Sequence, residues 1–204
     1  MDGEWYQISM KHISPLLDKN IRPALKTRLH KCHKKEPETV ILDELGICRG
    51  ESRVDVVLVN GSIHGFEIKS DRDSLQRLSS QIKLYSKVLD RATLVVGERH
   101  LHEAVKILPK WWGVLYFEAT KRGPRFKNLK RAKKNPERNS RILAELLWRD
   151  DSVRLLEQYG LDRGVRGKPR CVIWDRICSN LDIEVIASAV RASLKARANS
   201  TVGP

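Results

Sequence analysis

Cysteine is scarce in this chain, long apolar runs are missing, and acidic charge thins out toward the C-terminus. The four cysteines, Cys32, Cys48, Cys171 and Cys178, have no paired close spacing, so free thiols in a cytoplasmic protein are the simplest expectation. His30, Cys32 and His33 invite a zinc reading, but that short cluster on an expected helix lacks a fourth ligand. No stretch suggests a transmembrane helix, and MDGEWYQISM lacks the basic start and apolar block of a signal peptide. Internal repeats and low-complexity segments are also missing, apart from one basic run. What remains is 204 residues, 41% hydrophobic, enough for one domain with a small appendage.

The most informative stretch runs from Arg53 to Ser70, RVDVVLVNGSIHGFEIKS. Two alternating apolar segments flank Asn60-Gly61, a strong hairpin signal. Glu67 and Lys69 are two apart and share one strand face, while Phe66 and Ile68 take the other. A two-residue turn would set Asp55 opposite Phe66. A three-residue loop, Asn60-Gly61-Ser62, pairs Val59 with Ile63 and sets Asp55 opposite Glu67. It also gathers Val54, Val56, Leu58, Phe66 and Ile68 on one buried face, so that loop or an equivalent bulge is expected. Two carboxylates and an ammonium on one sheet face can hold a divalent metal beside a charge-stabilising lysine, as phosphodiester hydrolysis requires. Read alone, the same residues also suit the solvated face of an antiparallel sheet.

Asp55, a gap of eleven residues, and then Glu67-Ile68-Lys69 resemble the motif of the PD-(D/E)XK nuclease superfamily, with Val54 where the name has proline. Gln81 and Tyr85 are similar to the Q-x-x-x-Y helix motif of its RecB-like and lambda-exonuclease-like branch. Asp43-Glu44 falls where that superfamily often carries a further acid. Over residues 20–117 the chain resembles a group of small bacterial and phage-borne members known chiefly by a locus-tag name. The resemblance implies a restriction-endonuclease-like αβββαβ core with a mixed sheet. It also implies Mg²⁺ or Mn²⁺ held by Asp55, Glu67, Glu44 and the Ile68 carbonyl. Lys69 would orient a water or stabilise developing charge, and Gln81 and Tyr85 would position the substrate backbone or the metal's water shell. The implied activity is a metal-dependent deoxyribonuclease, endo- or exonucleolytic. The competing expectation is a non-catalytic nucleic-acid-binding or regulatory module that keeps the nuclease scaffold, since a fold does not dictate an activity.

The formal net charge of +14 is unevenly spread. Residues 1–60 carry 10 basic and 9 acidic side chains and residues 61–120 carry 9 and 7, against 20 and 9 for residues 121–204. The segment 121–141 holds ten basic residues and a single acid, Glu137. Such a block predicts a mobile arm that meets a polyanion, or a linker that is merely solubilising. The candidate DNA contacts are Lys121, Arg122, Arg125, Lys127, Lys130, Arg131, Lys133 and Lys134. Arg166, Lys168 and Arg170 join them from the glycine-rich basic loop 161–170. No amphipathic or lipidated element supports a membrane partner.

Periodicity predicts a helix over 20–35 with Pro23 early, a short strand over 39–42, hairpin strands at 53–59 and 63–69, and a helix opened by an Asp73/Gln76 capping box. A strand over 92–97, a helix over 99–107 and a strand over 113–118 follow. Trp111-Trp112 is expected to cap the core, with base stacking as the alternative. Past 141 the pattern is helical, one helix ending at Gly160. The expected organisation is a core over 1–120, a basic linker over 121–140 and a helical accessory domain over 141–204. Those last helices suit a homo-oligomer or a protein partner.

Overall fold

The computed structural model describes residues 15–200, so the expectation about the N-terminal ten residues lies outside the described part. Six strands form one mixed sheet in the order β1 (Val40–Ile47), β2 (Ser52–Val59), β3 (Ile63–Lys69), β4 (Arg91–Val96), β5 (Gly113–Thr120), β6 (Gly123–Lys130). β1–β2–β3 is an antiparallel meander, β3, β4 and β5 run parallel, and β6 returns antiparallel along β5. The described helices are α1 (Asp18–Cys32), α2 (Leu78–Tyr85), α3 (Glu98–Ile107), α4 (Ser140–Ala144), α5 (Arg149–Gln158), α6 (Arg170–Asn180) and α7 (Ile183–Ser200). No described helix is long and apolar enough to cross a membrane.

Two successive parallel crossovers, β3–α2–β4 and β4–α3–β5, step the same way across the sheet. Right-handed crossovers then put both helices on one face. Leu78, Ile82 and Tyr85 of α2 and Ala104 of α3 accordingly join one apolar cluster with Val57, Val59, Leu94 and Val96. Among the described helices, α1 covers the opposite face, its Ile21, Leu25 and Leu29 burying against Val56, Leu58, Phe66 and Ile68. Each of those three side chains contributes about 1.5–3 kcal/mol by leaving water. Packing, not propensity, therefore holds α1, which carries Pro23 in its second turn rather than at the expected early position.

The hairpin takes the three-residue connection: Val59 pairs with Ile63 and Val56 with Phe66, and Asn60 Oδ1 accepts the Ser62 N–H at 3.1 Å. Val54 departs from the expected set. It lies in the cluster of Val57 and Val59, on the α2 face, so strict alternation breaks between Val54 and Val57, around Asp55. Gly65 explains the close packing there, because a Cβ on it would stand 2.5 Å from Leu89 Cδ1 and 3.0 Å from Val54 Cγ1.

Three further expectations need correcting. The Asp73/Gln76 capping box does not form: Asp73 accepts the Ser70 N–H at 2.7 Å, and α2 opens only at Leu78. Residues 123–130, expected within a mobile basic arm, are β6, whose Phe126 packs on the α1 face and Leu129 on the other. As an edge strand it tolerates Pro124 and carries lysines facing solvent, a pattern that reads as solvated linker in sequence. The helices beyond 140 share the sheet's core. Leu143, Leu147, Ile173, Ile177, Ile186, Val190 and Leu194 belong to the α2-side cluster. Trp111 and Trp112 are buried, Trp112 stacking on Tyr85 at 5.9 Å between ring centroids, which leaves neither ring for a base.

Candidate functional site

The β2–β3 ladder stops at Val56 and Phe66, and the two strands part where Asp55 and Glu67 come next. A cleft of about 530 Å³ opens there, bounded by the start of α1, the β1–β2 turn, the end of β3 and the start of α2. Asp55, Glu67, Lys69, Glu44, Gln81 and Ile68 all line it, so the residues singled out from sequence are brought together. Tyr85, fully buried, reaches the same group from beneath.

Glu67 is the centre of this group. Its Oε1 accepts from Lys69 Nζ at 2.7 Å and from Gln81 Nε2 at 2.7 Å, and its Oε2 lies 2.5 Å from the Tyr85 hydroxyl. Lys69 Nζ also donates to Gln81 Oε1 at 3.0 Å. The i, i+4 spacing of Gln81 and Tyr85 on α2 presents both to one strand residue. Glu67 and Lys69 are 2% and 7% exposed, so their charges are compensated inside the protein and not by water. Burial, then the neighbouring Glu67, push the Tyr85 hydroxyl well above its ordinary pKa, so it remains a donor.

Asp55 serves a different partner. Its Oδ2 takes the Ile68 N–H at 2.7 Å, replacing the ladder bond lost where the strands part. Its Oδ1 and its backbone carbonyl take Arg22 of α1, at 3.2 and 2.7 Å. The same guanidinium pairs with Glu44 at 2.5 Å and with Asp18 at 3.0 Å. Glu44 adopts φ 55° within β1, a left-handed conformation costing a residue with a Cβ roughly 1–2 kcal/mol. Sequence reading missed Arg22. Its i, i+4 relation to Asp18 is visible in the chain, but its link to Asp55, 33 residues away, is not.

These contacts test the expected Mg²⁺ or Mn²⁺. Both oxygens of Asp55 and both of Glu67 already accept hydrogen bonds from within the chain, and Glu44 faces a guanidinium. A divalent ion would have to displace Arg22 from Asp55 and Glu44, and Lys69 from Glu67, so this arrangement does not fit one. Among the described residues no group of three His, Cys, Asp or Glu is placed to hold a metal, and His33 of the suggested zinc cluster faces Glu36 instead.

Burial, then Glu67, raise the Asp55 carboxyl to about 7, more than Arg22 and the Ile68 N–H lower it. A carboxyl whose folded pKa is raised favours folding fully below its unfolded value, near 3.8, and loses that contribution as pH rises through about 7. Asp55→Asn keeps an acceptor for Ile68 and removes the titration. Its stability relative to the parent should therefore rise between pH 4 and 7, by at most about 1.4 kcal/mol per pH unit. Urea unfolding of both proteins across that range checks it; parallel curves would refute the assignment.

The basic candidates divide by partner. Arg125 pairs with Glu118, Lys134 with Glu184, and Arg166 with Glu157 and Asp162. Lys130 Nζ donates to the Pro109 carbonyl at 3.4 Å, and Arg170 lies over the Trp174 ring. Lys121, Arg122, Lys127, Arg131, Lys133 and Lys168 are exposed and face no carboxylate among the described residues.

Comparison with known proteins overturns the nuclease expectation drawn from the sequence motifs. Protein cII of Enterobacteria phage P4 is 28% identical over 164 residues, 80% of this chain and 61% of that protein. The chain thus spans about three fifths of the length of the curated relative it matches. No solved structure matches. Membership of the PD-(D/E)XK superfamily, Mg²⁺-dependent deoxyribonuclease activity and the hydrolase class are all corrected by this similarity, which extends far beyond a short motif; a phage connection agrees with it. The family described as Bacteriophage P4 protein cII matches residues 15–202, and the chain belongs to that family.

Proposed function

We propose that this chain is a non-catalytic, nucleic-acid-binding module with a regulatory role, and that DNA is its partner. The observation that carries the reading is the surplus of exposed cations from the β5–β6 turn onward, among them Lys121, Arg122, Lys127, Arg131 and Lys133, with no carboxylate to meet them among the described residues. Cations displayed without counter-charges gain free energy by releasing the counterions of a phosphate backbone. The order α1–β1–β2–β3–α2–β4 further supports a restriction-endonuclease-like αβββαβ scaffold beneath this surface. In the cleft, Arg22 supplies the positive charge that the carboxylates need, so the group acts as structural cement between α1 and the hairpin.

Duplex DNA should bind equally well in EDTA and in Mg²⁺, remain intact, and show affinity falling linearly with salt on logarithmic axes. Replacing Arg131 and Lys133 together by glutamine should lower that slope by roughly 1.8, at about 0.9 per phosphate contact. Sequence preference should hardly change, because phosphate contacts position without specifying. Cleavage in Mg²⁺, or affinity indifferent to salt, would overturn the reading.

A further inference from the structure

We infer that the phosphate backbone of duplex DNA docks on the face formed by the loop 161–170 and the arginines around Trp174. This rests on the nucleic-acid reading above and deepens it by naming the surface.

Three guanidinium groups converge on one indole. Arg141, Arg170 and Arg49 lie 5.2, 5.5 and 5.9 Å from the Trp174 ring centroid. They come from α4, from the first residue of α6 and from the turn between β1 and β2. Like charges gathered so closely repel unless something offsets them. The electron-rich ring face offsets part of that repulsion. Two carboxylates add to it: Glu145 takes Arg49 at 2.7 Å and Arg141 at 3.6 Å, and Asp175 takes Arg141 at 3.0 Å. Arg170 has the ring and no carboxylate among the described residues.

The adjoining loop repeats the imbalance. Asp162 and Glu157 neutralise Arg166, whereas Arg163 and Lys168 are exposed with no acidic partner among the described residues. The loop is nevertheless fixed. Arg149 donates to the carbonyls of Lys168 and Arg166, the Lys168 N–H returns to the Val165 carbonyl at 2.9 Å, and Val165 is 3% exposed. Arg163, Lys168 and Arg170 are therefore three cations without a carboxylate among the described residues, on a frame that is already ordered. Binding there immobilises side chains only, which keeps its entropic cost low. A regularly charged polyanion meets such an array without needing sequence-specific groups.

The test is fluorescence anisotropy of a short labelled duplex with the full chain over a series of salt concentrations. Replacing Arg163, Lys168 and Arg170 by glutamine should weaken binding and lower the logarithmic salt slope by roughly 2 to 3. The R163Q/K168Q pair, which leaves Trp174 and its arginines untouched, should lower it by roughly 1.8. A parent protein without salt-dependent binding would overturn the nucleic-acid reading and this inference together. A parent that binds, with both variants keeping its slope, would overturn this inference alone and leave the β6 side as the contact surface.

Discussion

Lys69→Met is expected to destabilise the fold by about 3–5 kcal/mol, the cost of leaving a buried carboxylate without its counter-charge. Glu67 would keep Gln81 and Tyr85 as donors, but neither carries charge, and at 2% exposure water cannot replace the ammonium. The companion double variant, Glu67→Gln with Lys69→Met, removes both charges and preserves an amide for Gln81 and Tyr85. It should recover most of the loss, because replacing a buried pair together is often nearly neutral where breaking it is not. Urea unfolding of the parent, both single variants and the double gives the coupling directly. A Lys69→Met loss below about 1 kcal/mol would mean that hydrogen bonds alone hold Glu67.

Asp90→Ala should cost about 2–4 kcal/mol at the other end of the sheet, from a lost charge-assisted pair and an unpaired buried donor. Asp90 Oδ2 accepts the Ile63 N–H at 2.7 Å, and Oδ1 pairs with Arg138 at 2.5 Å, whose side chain is only 5% exposed. Arg191 of α7 adds a longer contact at 3.8 Å. Beside it the Asp90 carbonyl receives the Asn135 N–H, and the Asn135 amide reaches the carbonyls of Ser86 and Leu89 at 2.7 Å each. The alanine variant thus strands the Ile63 N–H and leaves the Arg138 guanidinium with the exposed Glu184, at 2.5 Å, in place of its buried partner. Asp90→Asn keeps the acceptor for Ile63 and should lose less. Hydrogen exchange in α4 and α7 should quicken in both variants, since Arg138, two residues before α4, and Arg191 of α7 both pair with Asp90, the residue before β4. If Asp90→Asn matches the parent in stability, the two arginine pairs contribute nothing net.

The hairpin register was legible because a one-residue slip would turn its apolar set to the wrong face, and that set is long enough to decide. Gly160 closes α5 with φ 67°, as its spacing from the preceding apolar stripe implied. Val54 was not legible, since the break in alternation depends on where β2 and β3 part. β6 was not legible either: its two apolar residues, Phe126 and Leu129, sit three apart among cations, and pairing with β5 supplies the order that its own composition lacks. The cleft shows a different limit. Asp55, Glu67, Lys69 and Gln81 line one cleft with Tyr85 beneath them, yet the charge that compensates Asp55 comes from Arg22 on another element. Residue types at a given spacing define a constellation, and what fills it is a tertiary fact. That is why a motif shared with nucleases gave way to a similarity running the length of the described chain.

The shared core of sheet and late helices also sets a timetable for synthesis. When a ribosome has released β6, the α2-side face of the sheet still lacks Leu143, Leu147, Ile173, Ile186 and Val190, which lie in the last third of the chain. At about 5–20 residues per second, the helices that cover this face follow over several seconds. For that interval the part of the face that α2 and α3 leave uncovered presents apolar side chains to its surroundings, a state in which chaperones and neighbouring chains compete for the same surface. The lysines of β6 guard one edge during the wait.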